Sequence, residues 1–178
     1  MTNAKRILQT PQYRKVIGVD PGITAGYLVE IYETGDFSLK DLSGLESVSL
    51  INKILHGLDD HGFDIAIVES QSMKPGQGRG SNSTLIRHAE TCFATLHTAH
   101  MYAIDGGKGV FWTAATKWQK FHGLGSAMDY NDRKKAHRAK VIELVGSDLE
   151  DAADAYLIAL YAANLAWGNN WESANYDV

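Results

Sequence analysis

The stretch KVIGVDPGITAGYLVEIYE, residues 15–33, decides the predicted fold of this chain. Its first apolar run ends in Asp20 and is broken by a Pro-Gly pair, which predicts a buried strand followed by a turn. The segments 25–33 and 36–42 have the composition of strands and are separated by a Thr-Gly-Asp turn. We therefore predict an antiparallel meander of three strands at the start of the domain.

The rest of the chain alternates helical and strand-like patterns. Helices are predicted over 45–62, 84–100, 113–123, 131–146 and 151–167, and further strands over 63–70, 101–104 and 110–112. We expect Asn131 or Asp132 to cap the fourth helix, and the Gly-rich segment 73–83 to form a loop. The order of elements predicts an α/β fold with a mixed sheet, in a single domain over 1–168 with a flexible tail over 169–178.

Composition narrows the class of protein. The chain has 178 residues, of which 44% are hydrophobic and 21% charged, and this balance is typical of a globular domain. It contains no apolar run of about 20 residues and no secretory leader pattern. The single cysteine, Cys92, excludes an intramolecular disulfide and a cysteine-based zinc site. We therefore expect a cytoplasmic protein with no membrane partner.

Charge is unevenly distributed along the chain. The net charge of −4 argues against a general nucleic-acid binder. Residues 113–140, however, hold seven basic and two acidic residues, whereas residues 141–178 hold seven acidic residues and no lysine or arginine. A basic segment beside an acidic one is typical of a nuclease, in which cations bind phosphate next to carboxylates that hold a metal. A solvated basic helix would give the same pattern.

Four acidic residues lie at the ends of predicted elements. Asp20 and Glu69 each end a strand, and Asp151 and Asp154 lie three residues apart at the start of the last helix. The helix pair alone could simply offset the helix dipole, and Asp20 could simply belong to a turn. Carboxylates gathered at one sheet edge would instead require a cation, and hard oxygen ligands favour Mg²⁺ or Mn²⁺. Two such ions can activate water and stabilise a leaving oxygen.

Three segments together resemble the acidic motifs of the RuvC-like Holliday-junction resolvases, within the RNase H-like superfamily. They are IGVDPGITAGYLV (17–29), IAIVES (65–70) and EDAADAYLIAL (150–160). The resemblance implies a central mixed five-stranded sheet flanked by helices and a homodimer that cuts branched DNA with two Mg²⁺ ions per site. It also implies that Asp20, Glu69, Asp151 and Asp154 are the catalytic and metal-binding residues. The segment 111–140 is closer in style to phage-borne members, which tend to cut a wider range of branched DNA.

Several basic and polar residues are candidates for DNA binding. The loop after Glu69 and the basic segment provide Lys74, Gln77, Arg79, Lys117, Lys120, Arg133, Lys134 and Arg138. A lysine pair around Trp118 could grip DNA, although a tryptophan in such a helix is more often a core residue. Two equal active sites suit the two-fold symmetry of a four-way junction, and the helix 84–100 could supply a dimer interface.

Three other functions compete with this interpretation. An RNase H acting on RNA–DNA hybrids usually takes its glutamate from the first helix, whereas the convincing glutamate here ends a strand. A sugar-kinase-like ATPase needs two lobes, for which the chain is too short. A non-catalytic scaffold for branched DNA would more naturally have lost one of the four acids. The predicted function is therefore a metal-dependent, structure-selective DNA endonuclease.

Overall fold

The computed structural model describes residues 14–21, 26–43, 63–70, 109–125 and 129–168. Within these ranges the chain forms one five-stranded sheet and three α-helices. The strands are β1 (Lys15–Asp20), β2 (Tyr27–Tyr32), β3 (Phe37–Asp41), β4 (Ile65–Ser70) and β5 (Gly109–Ala114). The helices are α1 (Ala115–Phe121), α2 (Tyr130–Val145) and α3 (Ala153–Trp167), and a 3-10 turn, Glu150–Ala152, precedes α3.

The sheet is mixed and has the order β3-β2-β1-β4-β5. Strands β1, β2 and β3 form the predicted antiparallel meander, whereas β4 runs parallel to both β1 and β5. The register aligns Val19 of β1 with Val68 of β4, so these two strands end at the same level. The α/β class, the mixed sheet and the pairing of the two acid-ending strands are confirmed.

Helix α3 lies directly on β1, and a glycine permits this close approach. An ideal Cβ placed on Gly18 would lie 2.3 Å from the backbone nitrogen of Ala159 and 2.5 Å from the carbonyl oxygen of Ala155. Real Cβ atoms do not approach backbone so closely, and only glycine fits here. The small alanines of α3 and the glycine of β1 therefore set the distance between helix and sheet.

The two faces of the sheet belong to two separate apolar clusters. Val16 and Ile67 pack with α3, whereas Ile17 and Val68 belong to the cluster on the opposite face. This division follows from the alternation of side chains along a strand. Even-numbered residues of β1, like Val16, and odd-numbered residues of β4, like Ile67, therefore point towards α3.

A buried ion pair joins β1 to β2 at the end of the sheet where β1 begins. The Lys15 ammonium donates to Glu30 over 2.8 Å, and both side chains are buried. Ser38 and Tyr32 also donate to the Glu30 carboxylate, over 2.7 and 3.2 Å. Burial tends to raise the pKa of Glu30, but the hydrogen bonds from Lys15 and Ser38 and the charges of Lys15 and Lys40 hold it below its usual value.

Three predicted helix starts are wrong. Asp129 caps α2 by accepting a hydrogen bond from the backbone nitrogen of Asp132 over 2.9 Å, so neither Asn131 nor Asp132 is the cap. The last helix begins at Ala153 instead of Asp151, because a 3-10 turn with Glu150 at a φ of +49° precedes it. The shorter helix, predicted from residue 113, begins at Ala115 because β5 extends to Ala114, but it does end before Gly123, as predicted.

Several sequence predictions lie outside the described residues. They are the helices 45–62 and 84–100, the loop 73–83, the strand 101–104 and the tail 169–178. Among the helices that are described, none combines the length and the apolar character needed to cross a membrane.

Candidate active site

Asp20 and Glu69 lie side by side on the face of the sheet that α3 covers. Each is the last or next-to-last residue of its strand, and the strands are parallel neighbours with aligned ends. Asp20 is an even-numbered residue of β1 and Glu69 an odd-numbered residue of β4, so both lie on the face that points towards α3. Their exposed fractions are 6% and 9%, so the fold holds two carboxylates almost out of solvent.

Asp154 adds a third buried carboxylate from the first turn of α3. It is 8% exposed, and both of its oxygens accept hydrogen bonds from α2. Lys134 Nζ donates to Oδ2 over 2.7 Å, and Nδ1 of His137 lies 2.8 Å from Oδ1. Burial tends to raise the pKa of Asp154, but the His137 hydrogen bond and the Lys134 charge hold it below its usual value. Asp154 is therefore held as an anion.

Glu69 is the carboxyl of the site whose ionised form is strongly disfavoured. Burial and the charges of Asp20 and Asp154 together raise the pKa of its carboxyl to about 8, against the lowering effects of the Trp118 hydrogen bond and the Lys134 charge. Trp118 Nε1 donates to Oε2 over 3.0 Å. Burial first, and the adjacent negative charges second, therefore favour the protonated form of Glu69 when no cation is bound.

Lys134 is a cation inside this acidic cluster. Burial tends to lower the pKa of its ammonium, but the charge and hydrogen bond of Asp154 and the charge of Asp20 raise it. The same ammonium lies 5.9 Å from the ring centroid of Tyr130, which is largely exposed. Lys134 therefore links the buried carboxylates to the surface of α2.

Asp151 lies at the same corner of the sheet but is exposed. It belongs to the 3-10 turn, so it does not share a helix face with Asp154. Burial raises the pKa of Tyr27, and the nearby charges of Asp41 and Asp151 raise it further. Tyr27 is the register partner of Asp20. Asp151 is thus near the strand end that carries Asp20, outside the buried group of three carboxylates.

The donor set of this site suits a hard divalent cation. All three buried side chains are carboxylates, and oxygen ligands of this kind bind Mg²⁺ and Mn²⁺. As placed, no group of three or more His, Cys, Asp or Glu among the described residues is arranged to hold one metal ion. The Lys134 ammonium already neutralises Asp154 in this arrangement. A cation would offset the same charge, and Asp154 would then have to release Lys134.

The predicted DNA-binding residues occupy different environments. Lys117 and Lys120 are exposed on α1, whereas Trp118 between them is fully buried and turned towards Glu69. Arg133 lies over the ring of Tyr130, 5.6 Å from its centroid. Arg138 makes a two-pronged ion pair with Asp148, and Lys134 contacts Asp154. Lys74, Gln77 and Arg79 lie outside the described residues.

Sequence reasoning missed the role of two aromatic side chains. Trp118 and His137 are fully buried and contact Glu69 and Asp154 respectively. The only sequence signal was the spacing of His137 from Lys134, which places both on one face of α2. No signal pointed to Trp118, because it lies 49 residues from Glu69 along the chain.

Comparison with known proteins defines the fold. No family model matches the sequence, and no curated protein matches it. Among solved structures, Thermus thermophilus RuvC in complex with Holliday junction substrate is similar over 85% of this chain and 93% of that one, at 19% identity and a TM-score of 0.55. A second T. thermophilus RuvC structure gives 19% identity, 84% and 93% coverage and a TM-score of 0.54. The yeast mitochondrial Holliday junction resolvase Ydc2 gives 14% identity, 83% and 76% coverage and a TM-score of 0.50.

Among these structural neighbours, one RuvC structure holds a Holliday junction substrate, and Ydc2 is a Holliday junction resolvase. The chain therefore has the RNase H-like α/β fold of RuvC, as the sequence resemblance predicted. At these identities the likeness defines the architecture. The reaction has to be argued from the side chains of this chain.

Proposed function

We propose that this chain is a metal-dependent, structure-selective DNA endonuclease that resolves four-way junctions by paired hydrolysis of phosphodiesters. The observation that carries the proposal is the group of three buried carboxylates, Asp20, Glu69 and Asp154, where β1, β4 and α3 meet. Burying three carboxylates together is costly, and a fold that does so needs a use for them. The RuvC fold supports a use in cutting branched DNA.

Asp20, Glu69 and Asp154 would hold the cation, with Asp151 as a fourth ligand from the exposed turn. A divalent cation held there would supply Lewis-acid chemistry, namely activation of a water and stabilisation of the leaving oxygen of a phosphodiester. The chain's own contribution is to keep the carboxylates in place and partly shielded from solvent. Hydrolysis would leave a 5′-phosphate and a 3′-hydroxyl. Two ions per site would assist the attacking water and the leaving oxygen respectively.

Binding of the DNA backbone would come from the cations around the site. Lys134 reaches the carboxylates, Arg133 lies one residue before it on α2, and Lys117 and Lys120 are exposed on α1. Such residues neutralise phosphates without reading sequence. Arg138 would add to this surface after exchanging Asp148 for phosphate. Lys74, Gln77 and Arg79 are proposed to contact DNA from the loop that follows Glu69.

The test is cleavage of three labelled substrates by the purified protein with Mg²⁺. A synthetic four-way junction, a linear duplex and an RNA–DNA hybrid are each incubated with wild type, Asp154→Asn and Asp151→Asn. We expect symmetric nicks in the junction alone, abolished by Asp154→Asn. Activity retained in Asp151→Asn would remove Asp151 from the ligand set.

Other outcomes change the assignment. Cutting of the hybrid in place of the junction would make the protein an RNase H, and tight junction binding without cutting would make it a scaffold. Light scattering of the free protein tests the proposed homodimer, since paired nicks need two active sites on one junction. Cleavage with Mn²⁺ in place of Mg²⁺ tests whether an all-oxygen ligand set is used.

A further inference from the structure

Two fully buried aromatic rings lie behind the carboxylates of the site. Trp118 comes from α1 and His137 from α2, and their exposed fractions are 0% and 1%. Both belong to the largest side chains that the described core buries completely. Neither ring is exposed enough to contact DNA, so any effect on the reaction has to pass through the carboxylates.

Each ring donates a hydrogen bond to a different carboxylate. Trp118 Nε1 donates to Glu69 over 3.0 Å, and His137 Nδ1 lies 2.8 Å from Asp154. An ionised carboxylate can only accept, so the hydrogen shared with Asp154 belongs to Nδ1 of His137. Nε2 of His137 is buried and has no hydrogen-bond partner within the part of the chain that the structure describes.

The two rings also contact each other. Their centroids are 5.0 Å apart and their planes meet at 63°, which is an edge-to-face arrangement. In a packed interior neither ring can turn without displacing the other. The hydrogen bonds to Glu69 and Asp154 are therefore mechanically connected through this contact.

We propose that Trp118 and His137 form a coupled positioning pair, which holds Glu69 and Asp154 in the orientation that binds the catalytic cation. This proposal rests on the proposed function, since it concerns ligands of the same site. Groups that hydrogen-bond to metal ligands fix ligand orientation, and their loss typically costs 10- to 100-fold in metal affinity or activity. The pair would act on the cation only through the two carboxylates.

The burial of His137 argues against simple packing as its role. An apolar ring would fill the same space without leaving a buried nitrogen unpaired, and a buried polar atom without a partner is unfavourable. The position therefore carries a cost that an apolar ring would avoid and that the hydrogen bond to Asp154 helps to offset. The indole N–H of Trp118 is also buried, and its hydrogen bond goes to Glu69.

Three substitutions separate the hydrogen bonds from the packing. Trp118→Phe removes the N–H but keeps an aromatic ring. His137→Phe keeps a ring but removes the donor, whereas His137→Asn keeps a donor near the position of Nδ1 and removes the ring. Trp167→Phe is the matched control, because Trp167 Nε1 donates over 2.7 Å to Asp64, which precedes β4 at the opposite end of that strand.

The first readout is Mg²⁺ affinity in the absence of DNA, measured by calorimetry on variants whose folding is checked by urea unfolding. We expect Trp118→Phe and His137→Phe each to weaken binding by about 10- to 100-fold. His137→Asn and Trp167→Phe should stay within about threefold of wild type. The opposite ranking at position 137, with Phe tolerated and Asn not, would overturn the proposal in favour of packing.

The double variant Trp118→Phe/His137→Phe tests the coupling. If losing one ring already frees the other, the double variant should lose less than the product of the two single losses, and a loss greater than the product would contradict this coupling. A loss equal to the product would mean that the two residues act independently and would overturn the pair. Should His137→Phe fail to fold, the comparison of Trp118→Phe with Trp167→Phe decides the matter alone.

A second readout separates this proposal from the proposed function. Junction cleavage by the folded variants should lose kcat with little change in KM at saturating Mg²⁺, because the DNA-binding surface is intact. If wild type binds Mg²⁺ and cuts junctions, and Trp118→Phe does both equally well, only the positioning pair is overturned. Wild type that neither binds Mg²⁺ nor cuts would overturn both.

Discussion

Neutralising Glu69 should stabilise the metal-free protein, and the size of the effect follows from its pKa. The pKa of this carboxyl rises from 4.5 to about 8 on folding, so the folded state binds the proton more tightly than the unfolded state. Metal-free wild type therefore loses stability as the pH rises from about 4.5 to about 8. A tenfold difference in proton affinity is worth about 1.4 kcal/mol. Glu69→Gln should thus gain about 5 kcal/mol at pH 9, as an order of magnitude.

The assay is urea unfolding of both proteins in the presence of a chelator, between pH 5 and pH 9. The gain from Glu69→Gln should be small near pH 5 and grow steadily to pH 9, since the neutral amide keeps the shape of the side chain and can still accept from Trp118. Glu143→Gln is the matched control, because Glu143 is exposed and pairs with Lys140 at the surface. It should shift the unfolding free energy by less than about 0.5 kcal/mol.

Two results would refute this reasoning about Glu69. One is a Glu69→Gln variant that is no more stable than wild type at pH 9. The other is a gain that does not depend on pH, which would indicate packing in place of charge. Saturating Mg²⁺ provides an internal check, because a ligand that binds only the folded state adds stability. Mg²⁺ should stabilise wild type more than the variant, which lacks one anionic ligand.

Three further perturbations test the fold and the site. Gly18→Ala should destabilise the protein by about 3 kcal/mol or more, because the new Cβ would lie 2.3 Å from the backbone of α3. Gly125→Ala is the control in thermal unfolding and should be nearly neutral, because nothing lies within 4 Å of its new Cβ. Lys15→Met should cost about 3 kcal/mol in urea unfolding, since the buried Glu30 loses its nearer, buried cation and keeps only the more distant Lys40. An unchanged midpoint would contradict this. Lys134→Gln should raise the Mg²⁺ affinity measured by calorimetry without DNA, because the ammonium no longer competes with the cation for the carboxylates of the site. A weaker affinity would contradict that competition.

The fold was predictable because its signals are local. An apolar run that ends in an acid identified β1 and again β4, and β1 to β3 follow one another as a meander. Parallel neighbours bring their ends together, so the proximity of Asp20 and Glu69 followed from the strand assignment alone. The turn glycines and the short connections of the meander left few alternatives.

The start of α3 was not predictable from spacing. Asp151 and Asp154 are three residues apart, which on a helix would place them on one face. Asp148 instead accepts a hydrogen bond from the backbone nitrogen of Glu150, and Glu150 adopts a left-handed φ of +49°. A non-glycine residue in that conformation is uncommon, and periodicity does not reveal it. The helix therefore begins at Ala153, and Asp151 is exposed.

The side chains that hydrogen-bond to the carboxylates could not be predicted from the sequence either. Trp118 and Glu69 lie on different elements far apart in the chain, and no periodic pattern connects them. His137 looked like one member of a basic helix face, although it is buried and its neighbour in space is Asp154. Contacts of this kind depend on how α1, α2 and α3 pack together. Sequence patterns locate the carboxylates, and tertiary packing decides which groups hold them.

Lys134 connects the stability of the site with its proposed activity. In the metal-free protein its ammonium offsets Asp154 and moderates the repulsion that raises the pKa of Glu69. A divalent cation brings more charge to the same carboxylates and would leave this ammonium free to bind a phosphate. The lysine would then move from a structural contact to a substrate contact when the metal binds. Such a site would offset part of the carboxylate repulsion before a metal binds, and would keep a cation beside the position where DNA is proposed to be cut.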